Sequence, residues 1–433
     1  MIKQFHIDAM LTRACENKAV SCLVLAALCL IAFFPTFSNE LMTGWDDQWQ
    51  IVNQYTSGGW SWKNLSDIFC HSYHGQYSPL NQILYICIYS VAEYDPAYYH
   101  ATSLFIHILN VWLVYLLVRH IATSVTNWTE ARIYWTAFGV ALVFGIHPLQ
   151  VESVAWMSAS KILLSSLFYL LATYTFIYYI ERGKAIYYIQ TLFLFVCAYC
   201  SKEQVVVFPL WLLLLMYIYG NSLKSKEVWT VLAPFFVLAL FMGLVFALGT
   251  RSTSILEETN PRDYTWWQRF VFSCYALVEY VCKFFVPFQL RYKYYFPMQP
   301  GEPLPSWLLM YPVLVATPVI CFWRQIIQKP IHISLLIFAI HILLVLHVLP
   351  IGRQHIVADR YMYLSITGLS ILTAILISRL FTKAKWHQFI LLIICGIIAS
   401  FLHLSVGYTK RWHTTDEINN QTIVKTSKTY LKD

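Results

Sequence analysis

The chain has 433 residues, of which 58% are hydrophobic and only 12% charged, with a formal net charge of +8 and a mean hydropathy of +0.55. A soluble domain carries about 25% charged residues, so this composition excludes a water-soluble globule: too little polar surface is present to coat one. Lys and Arg are scattered between apolar runs, which speaks against nucleic acid and for a chain oriented in a lipid bilayer.

A spanning helix needs about 20 apolar residues. The run 20–37 qualifies and follows Lys3, Arg13 and Lys18. No small-residue cleavage site comes after it, so it reads as a retained signal-anchor with a cytoplasmic N-terminus. Residues 38–96 then form a polar, aromatic first extracytoplasmic loop, in which the short semi-apolar stretch 79–91 predicts a helix lying in the interface plane. Further spans are expected at 97–117, 133–150, 161–180, 185–200, 204–220, 228–250, 307–323, 331–350, 364–380 and 388–407.

With the first, that makes about eleven spans and puts the short tail 408–433 outside. The basic residues agree. Proposed cytoplasmic loops carry Arg119 and Arg132, Arg182 and Lys184, Lys224 and Lys226, Arg324 and Lys329, and Arg379, Lys383 and Lys385, as the positive-inside bias requires. The stretch 266–286 is apolar but bears Arg269, Glu279 and Lys283, so it reads as a second interfacial or re-entrant helix. The expected fold class is an all-α polytopic membrane protein, one transmembrane domain over 1–433. Cys22, Cys29, Cys87, Cys197, Cys274, Cys282, Cys321 and Cys395 sit inside apolar segments without metal-ligand or redox spacing and read as small buried hydrophobes.

Four polar groups stand at the expected outer boundary: Asp46 and Asp47; His147, Pro148 and Glu152; Lys202 and Glu203; and Asp359, Arg360, Tyr361 and Tyr363. Singly, each has a structural explanation: a solvated helix end, a helix terminator, a cap on a turn, a loop ion pair. Together they fit one site at one membrane face.

Trp45-Asp46-Asp47 with 51–53, Tyr77-Ser78-Pro79-Leu80, and Tyr99-His100 with Asn110 open a series of motifs. It continues through 147–156 (HPLQVESVAW), 201–204 (SKEQ) and 358–364 (ADRYMYL) to Arg411-Trp412. The series resembles GT-C glycosyltransferases, above all the protein O-mannosyltransferase-like group that includes the transmembrane-and-tetratricopeptide-repeat proteins. Two departures stand out. The repeats that members often carry after the last span do not occur in these residues, which leaves the acceptor open between a protein and a glycan. Lys161 stands where relatives commonly show a basic–acidic pair.

The resemblance implies an inverting transferase that takes a sugar from a polyprenyl-phosphate-linked donor. It implies a catalytic base at Asp46 or Asp47, with Asp46 favoured, since an acceptor hydroxyl must lose its proton as it attacks and neighbouring carboxylates raise each other's pKa. The leaving phosphate needs cations: Arg360 and Lys202 first, then Arg353, Arg291 and Lys293. His147, Glu152, Glu203, Asp359 and Tyr361 would organise the site, the first two by bonds to the first loop or the donor phosphate. Trp45 and Trp49 would stack on sugar or hold the prenyl chain. Two carboxylates and a histidine would suit a divalent metal, but the relatives look metal-independent, and no cofactor is expected. The setting implied is a bacterial inner membrane, with an extracytoplasmic site. The alternatives are an outer-face glycan polymerase or ligase, and a non-enzymatic transporter of lipid or sugar.

Overall fold

The computed structural model describes residues 17–249, 264–348, 355–380 and 387–418. Lys3, Arg13, Arg353, Lys383, Lys385 and the tail beyond residue 418 lie outside the described residues. Among those described, the only β-type pairings are two isolated bridges, Tyr73 with Gln76 and Tyr294 with Val357. The helices are α1 (Lys18–Phe33), α2 (Asp47–Gln50), α3 (Gln54–Ser57), α4 (Trp62–Cys70), α5 (Pro79–Ala92), α6 (Pro96–Val125), α7 (Glu130–Ile146), α8 (Val151–Ala155), α9 (Ser160–Arg182), α10 (Ala185–Ser201), α11 (Phe208–Ile218), α12 (Lys226–Gly249), α13 (Trp266–Phe285), α14 (Met310–Cys321), α15 (Trp323–Ile326), α16 (Lys329–Ile342), α17 (Ile366–Leu380) and α18 (His387–Lys410).

Local chemistry sets the boundaries. Side chains of Asn17, Asp95 and Thr129 accept first-turn amides of α1, α6 and α7, filling donors a helix start leaves orphaned. Pro148 ends α7. His147 before it is extended, at φ −66° and ψ 137°, as a residue preceding proline prefers, and the chain resumes in Pro148–Ala155 at 52° to the helix before.

Among the described residues, five helices are long and apolar enough to cross a membrane: Lys18–Ser38, Pro96–Val125, Met157–Arg182, Lys226–Val245 and Gln388–Lys410. The bent pair Glu130–Ile146 and Pro148–Ala155 makes a sixth if it is one span. The other expected spans, 185–200, 204–220, 307–323, 331–350 and 364–380, form apolar helices of 10–17 residues. Backbone breaks account for their length. Lys202, extended at φ −161° and ψ 135°, separates α10 from the next helical stretch. α14 stops at Phe322, and α16 tightens into a 3₁₀ turn over Leu343–Val345.

The 266–286 stretch is the helix α13. Its apolar face buries Val271, Phe272, Ala276, Tyr280 and Phe284, while Lys283 bonds Glu279 at 2.7 Å. Phe272 meets His347, which bonds Ile356, and Tyr280 accepts from the Ala358 amide. α13 thus touches the 355–363 segment directly at Ala358 and, through His347, at Ile356.

In the core, α6 packs on α7 and α9, α9 on α10, α17 on α7 and α16, and α1 on α18. Small residues allow the closest crossings: a Cβ on Gly145 would lie 2.9 Å from Cys29 Sγ, and one on Gly368 would lie 2.7 Å from the Ser334 carbonyl and collide with the Phe338 amide. A buried polar chain locks the centre. His107 Nε2 donates to the Gly145 carbonyl at 2.9 Å, so its Nδ1 must accept from Tyr363 Oη, at 2.8 Å. That hydroxyl in turn accepts from Asn110 Nδ2 at 3.0 Å, which also donates to the Leu163 carbonyl at 2.9 Å.

Candidate active site

The four polar groups meet at one end of the bundle, where α6, α9 and α17 begin and α1, α7, α10 and α18 end. The first loop is pinned there. The Glu40 amide donates to His413 O at 3.0 Å, and Asn39 Nδ2 donates to Thr409 O at 3.3 Å. The opposite end gathers other polar residues: Glu181 accepts from His120 at 2.8 Å, Ser124 at 3.1 Å and Tyr219 at 3.2 Å.

The acidic pair divides its labour. Asp47 is fully buried. Its Oδ2 accepts from the Met42 amide at 3.1 Å, and its Oδ1 accepts both the Ser158 amide at 3.1 Å and the Ser158 hydroxyl. Burial pushes its carboxyl up to about 6 against the pull of these bonds. Asp47 therefore clamps the loop to the 157–159 turn. Asp46 is half-buried, and its Oδ2 accepts from Gln50 Nε2 at 3.2 Å.

From Asp46 a relay of amides runs to a cation. Gln50 Nε2 reaches Gln76 Oε1 at 3.4 Å, and that oxygen accepts from Lys161 Nζ at 2.5 Å. Lys161 is buried and has no carboxylate within ion-pair distance among the described residues. Lys202, also buried, stands 3.8 Å from Glu203. Lys161 lies within electrostatic range of Lys202, Asp46, Glu203 and Arg360. A cleft of about 30 Å³, the space of one water, lies alongside, lined by Trp49, Gln50, Tyr73, Gln76, Asn81 and Tyr85 among others.

Arg360 is differently placed. Its backbone amide donates to Glu152 Oε2 at 2.7 Å and its guanidinium to Glu152 Oε1, so this cation is already neutralised. It also lies over Trp156 at 5.4 Å and Tyr361 at 5.0 Å. Asp359 accepts from Tyr294 Oη at 3.0 Å; burial and then the Glu152 charge push its carboxyl up.

Four aromatic rings fill the space between. Trp45 stacks on Tyr292 at 3.6 Å, Trp156 stacks on Trp412 at 5.9 Å, and the two pairs meet edge-on, Trp45 to Trp156 at 6.0 Å and Tyr292 to Trp412 at 5.8 Å. The Trp156 indole N–H is buried and unpartnered among the described residues. Tyr292 feels the charges of Arg360, Asp46, Glu152 and Asp47, so the cluster sits within reach of both acids and the guanidinium.

Three expected site residues stand outside the four-ring cluster. His147 bonds neither the first loop nor an open cavity: its Nε2 donates to the Phe284 carbonyl at 2.9 Å, its Nδ1 accepts the Leu149 amide at 3.1 Å, and its ring stacks on Phe284. It ties the broken α7 to α13. Arg291 is exposed; its backbone amide donates to Tyr294 Oη at 2.8 Å, the hydroxyl that Asp359 accepts from, and its charge reaches Tyr275 of α13. Trp49 stacks on His74 at 4.7 Å, outside the four-ring cluster. Arg353 lies outside the described residues.

The sequence reading missed Ser158, Gln50, Gln76, Trp156 and Tyr292 as site members, and gave Lys161 no role. Trp156 stood within a quoted motif and Lys161 was noted as a departure from the family pattern, signals that could have been used; the amides and Tyr292 gave none. No group of three or more His, Cys, Asp or Glu side chains able to hold a metal occurs among the described residues. No family model matches the chain, and no curated protein or solved structure does.

Proposed function

We propose that this chain is a membrane glycosyltransferase that moves a sugar from a polyprenyl-phosphate-linked donor to an acceptor hydroxyl of a protein or glycan, with inversion, on a GT-C-like frame of about eleven spans. The observation that carries the reading is the juxtaposition of an accessible carboxylate, Asp46, with two buried lysines: Lys161, which has no carboxylate within ion-pair distance among the described residues, and Lys202, whose partner Glu203 stands 3.8 Å away. Buried charge without a counter-ion is costly, and an anionic ligand beside Lys161 relieves that cost.

In this mechanism Asp46 takes the proton of the acceptor hydroxyl as its oxygen attacks the anomeric carbon. The bond from that carbon to the phosphate oxygen breaks, and the polyprenyl phosphate leaves with the electron pair. Its growing charge is met by Lys161 and Lys202. Asp47 holds the loop that presents Asp46, while the Glu152–Arg360 pair and the four-ring cluster shape the sugar side. The basic residues at the opposite end support a cytoplasmic placing of that end, so the site faces the extracytoplasmic side, and a bacterial inner membrane fits this arrangement.

The test is consumption of a radiolabelled polyprenyl-phosphate sugar by the purified protein in liposomes. Asp46→Asn should abolish it while Lys161→Gln raises the donor KM. Donor turnover that survives Asp46→Asn at the wild-type rate would overturn the assignment.

A further inference from the structure

At the end of the bundle away from the candidate site, α6, α7, α9, α11, α16 and α17 enclose an apolar cavity of about 160 Å³ that is open at one side. A cavity of about 150 Å³ lined by aliphatic and aromatic groups stays dry and accepts a molecule of benzene. The walls here are of that kind. Those of their hydroxyl and imidazole groups that bond at all turn back on the protein: Thr126 to Ala122 O at 2.6 Å, Thr367 to Leu364 O at 2.6 Å, His341 Nδ1 to Ile337 O at 2.7 Å. Thr173 accepts from Trp211 at 2.9 Å. The Tyr169 hydroxyl of the wall is buried and without a partner among the described residues, and it offers one bond to a water that needs two to four. The walls belong to apolar helices, so the occupant they suit is one drawn from hydrocarbon.

The rim adds a charge. Trp128 lines the cavity, and the Arg132 guanidinium lies 4.1 Å from the centre of its ring. One arm of Arg132 donates to Ser378 at 3.2 Å. Its Nε is buried and without a partner among the described residues, and no carboxylate stands within ion-pair distance of it. Glu181, an acid at this end, is engaged by His120, Ser124 and Tyr219. An apolar slot beneath an unneutralised guanidinium and an interfacial tryptophan matches a molecule with a hydrocarbon chain and an anionic head.

We infer that this cavity is a binding site for an anionic phospholipid of the surrounding bilayer, with a segment of one acyl chain in the slot and the phosphate against Arg132. The site is separate from the proposed transfer chemistry and does not depend on it.

Native mass spectrometry of the full chain released from nanodiscs of equal dioleoyl-phosphatidylglycerol and dioleoyl-phosphatidylcholine tests it. The wild type should retain one phosphatidylglycerol over phosphatidylcholine by about fivefold, the effect of one basic residue at an anionic head group. Arg132→Gln should erase the preference and Arg132→Lys keep most of it. Ile371→Trp, which fills the slot, should lose the retained lipid of either kind while the protein still elutes as a single folded species. Equal retention of both lipids by the wild type, or retention by Arg132→Gln as strong as the wild type's, would overturn the inference. Equal protection of the wild type from heat by free glycerol phosphate would do the same, marking a site for a soluble anion instead.

Discussion

Arg360 holds Glu152 by both of its carboxylate oxygens, through the backbone amide at 2.7 Å and through the guanidinium, across 208 residues of sequence. Removing one partner of a buried pair leaves an uncompensated charge, a loss on the order of 3 kcal/mol or more. Glu152→Gln and Arg360→Gln should each lower the Tm of the detergent-solubilised protein sharply, and the double variant should lose less than the sum of the two. Additive losses in that double-mutant cycle would show that the pair is not coupled.

Asp47 supplies a pH signature. Its folded value, about 6, lies above the ordinary aspartate value of 3.8, so the folded state binds the proton more readily than the unfolded one. The protonated carboxyl therefore favours folding below the unfolded value, and that advantage is lost as pH rises through about 6, a difference of about 3 kcal/mol. The Tm of the wild type, measured against Asp47→Asn, should rise between about pH 7.5 and pH 4.5. A flat difference over that range would mean that Asp47 is not the buried acid described here.

Gly368 tests the α16–α17 crossing. Adding a methyl there drives it into the Phe338 amide and the Ser334 carbonyl, neither of which can yield as a flexible side chain would. Gly368→Ala should cost about 1–3 kcal/mol, whereas Gly396→Ala, with nothing within 4 Å of the added atom, should be neutral or slightly stabilising. Equal Tm values for the two variants would contradict the close crossing.

Sidedness can be read by labelling single cysteines with an impermeant maleimide in oriented vesicles. Lys63→Cys, in the first loop, and Ser222→Cys, beyond α11, should react from opposite compartments. Labelling of both from one side would separate the bundle's two ends from the two faces of a membrane, and the proposed extracytoplasmic site would fall with it.

The long spans were legible because an unbroken apolar run reports directly on the solvent it must face. The breaks that shorten the other helices were not legible, since a hydropathy window averages across an extended residue such as Lys202, which the backbone does not. The gathering of Asp46, Glu152, Lys202 and Arg360 at one end could also be read, from alternation of loops. Their partners could not. Glu152 chooses Arg360 rather than Lys202 only once the chain is folded. Neighbouring carboxylates look identical in sequence, and it is Ser158 and the Met42 amide that make Asp47 the buried clamp and leave Asp46 open. Gln50 and Gln76 carry no charge and no periodic signal, so the relay to Lys161 left no trace in the sequence.

α6 has 30 residues, about 45 Å at 1.5 Å per residue, whereas the hydrocarbon layer is about 30 Å thick. Such a rod must lean or protrude. Its first turns carry Tyr99, which bonds the Glu93 carbonyl of the first loop at 3.0 Å. Bilayer thickness, by setting the lean of this one helix, therefore acts as a lever on the loop that bears Asp46.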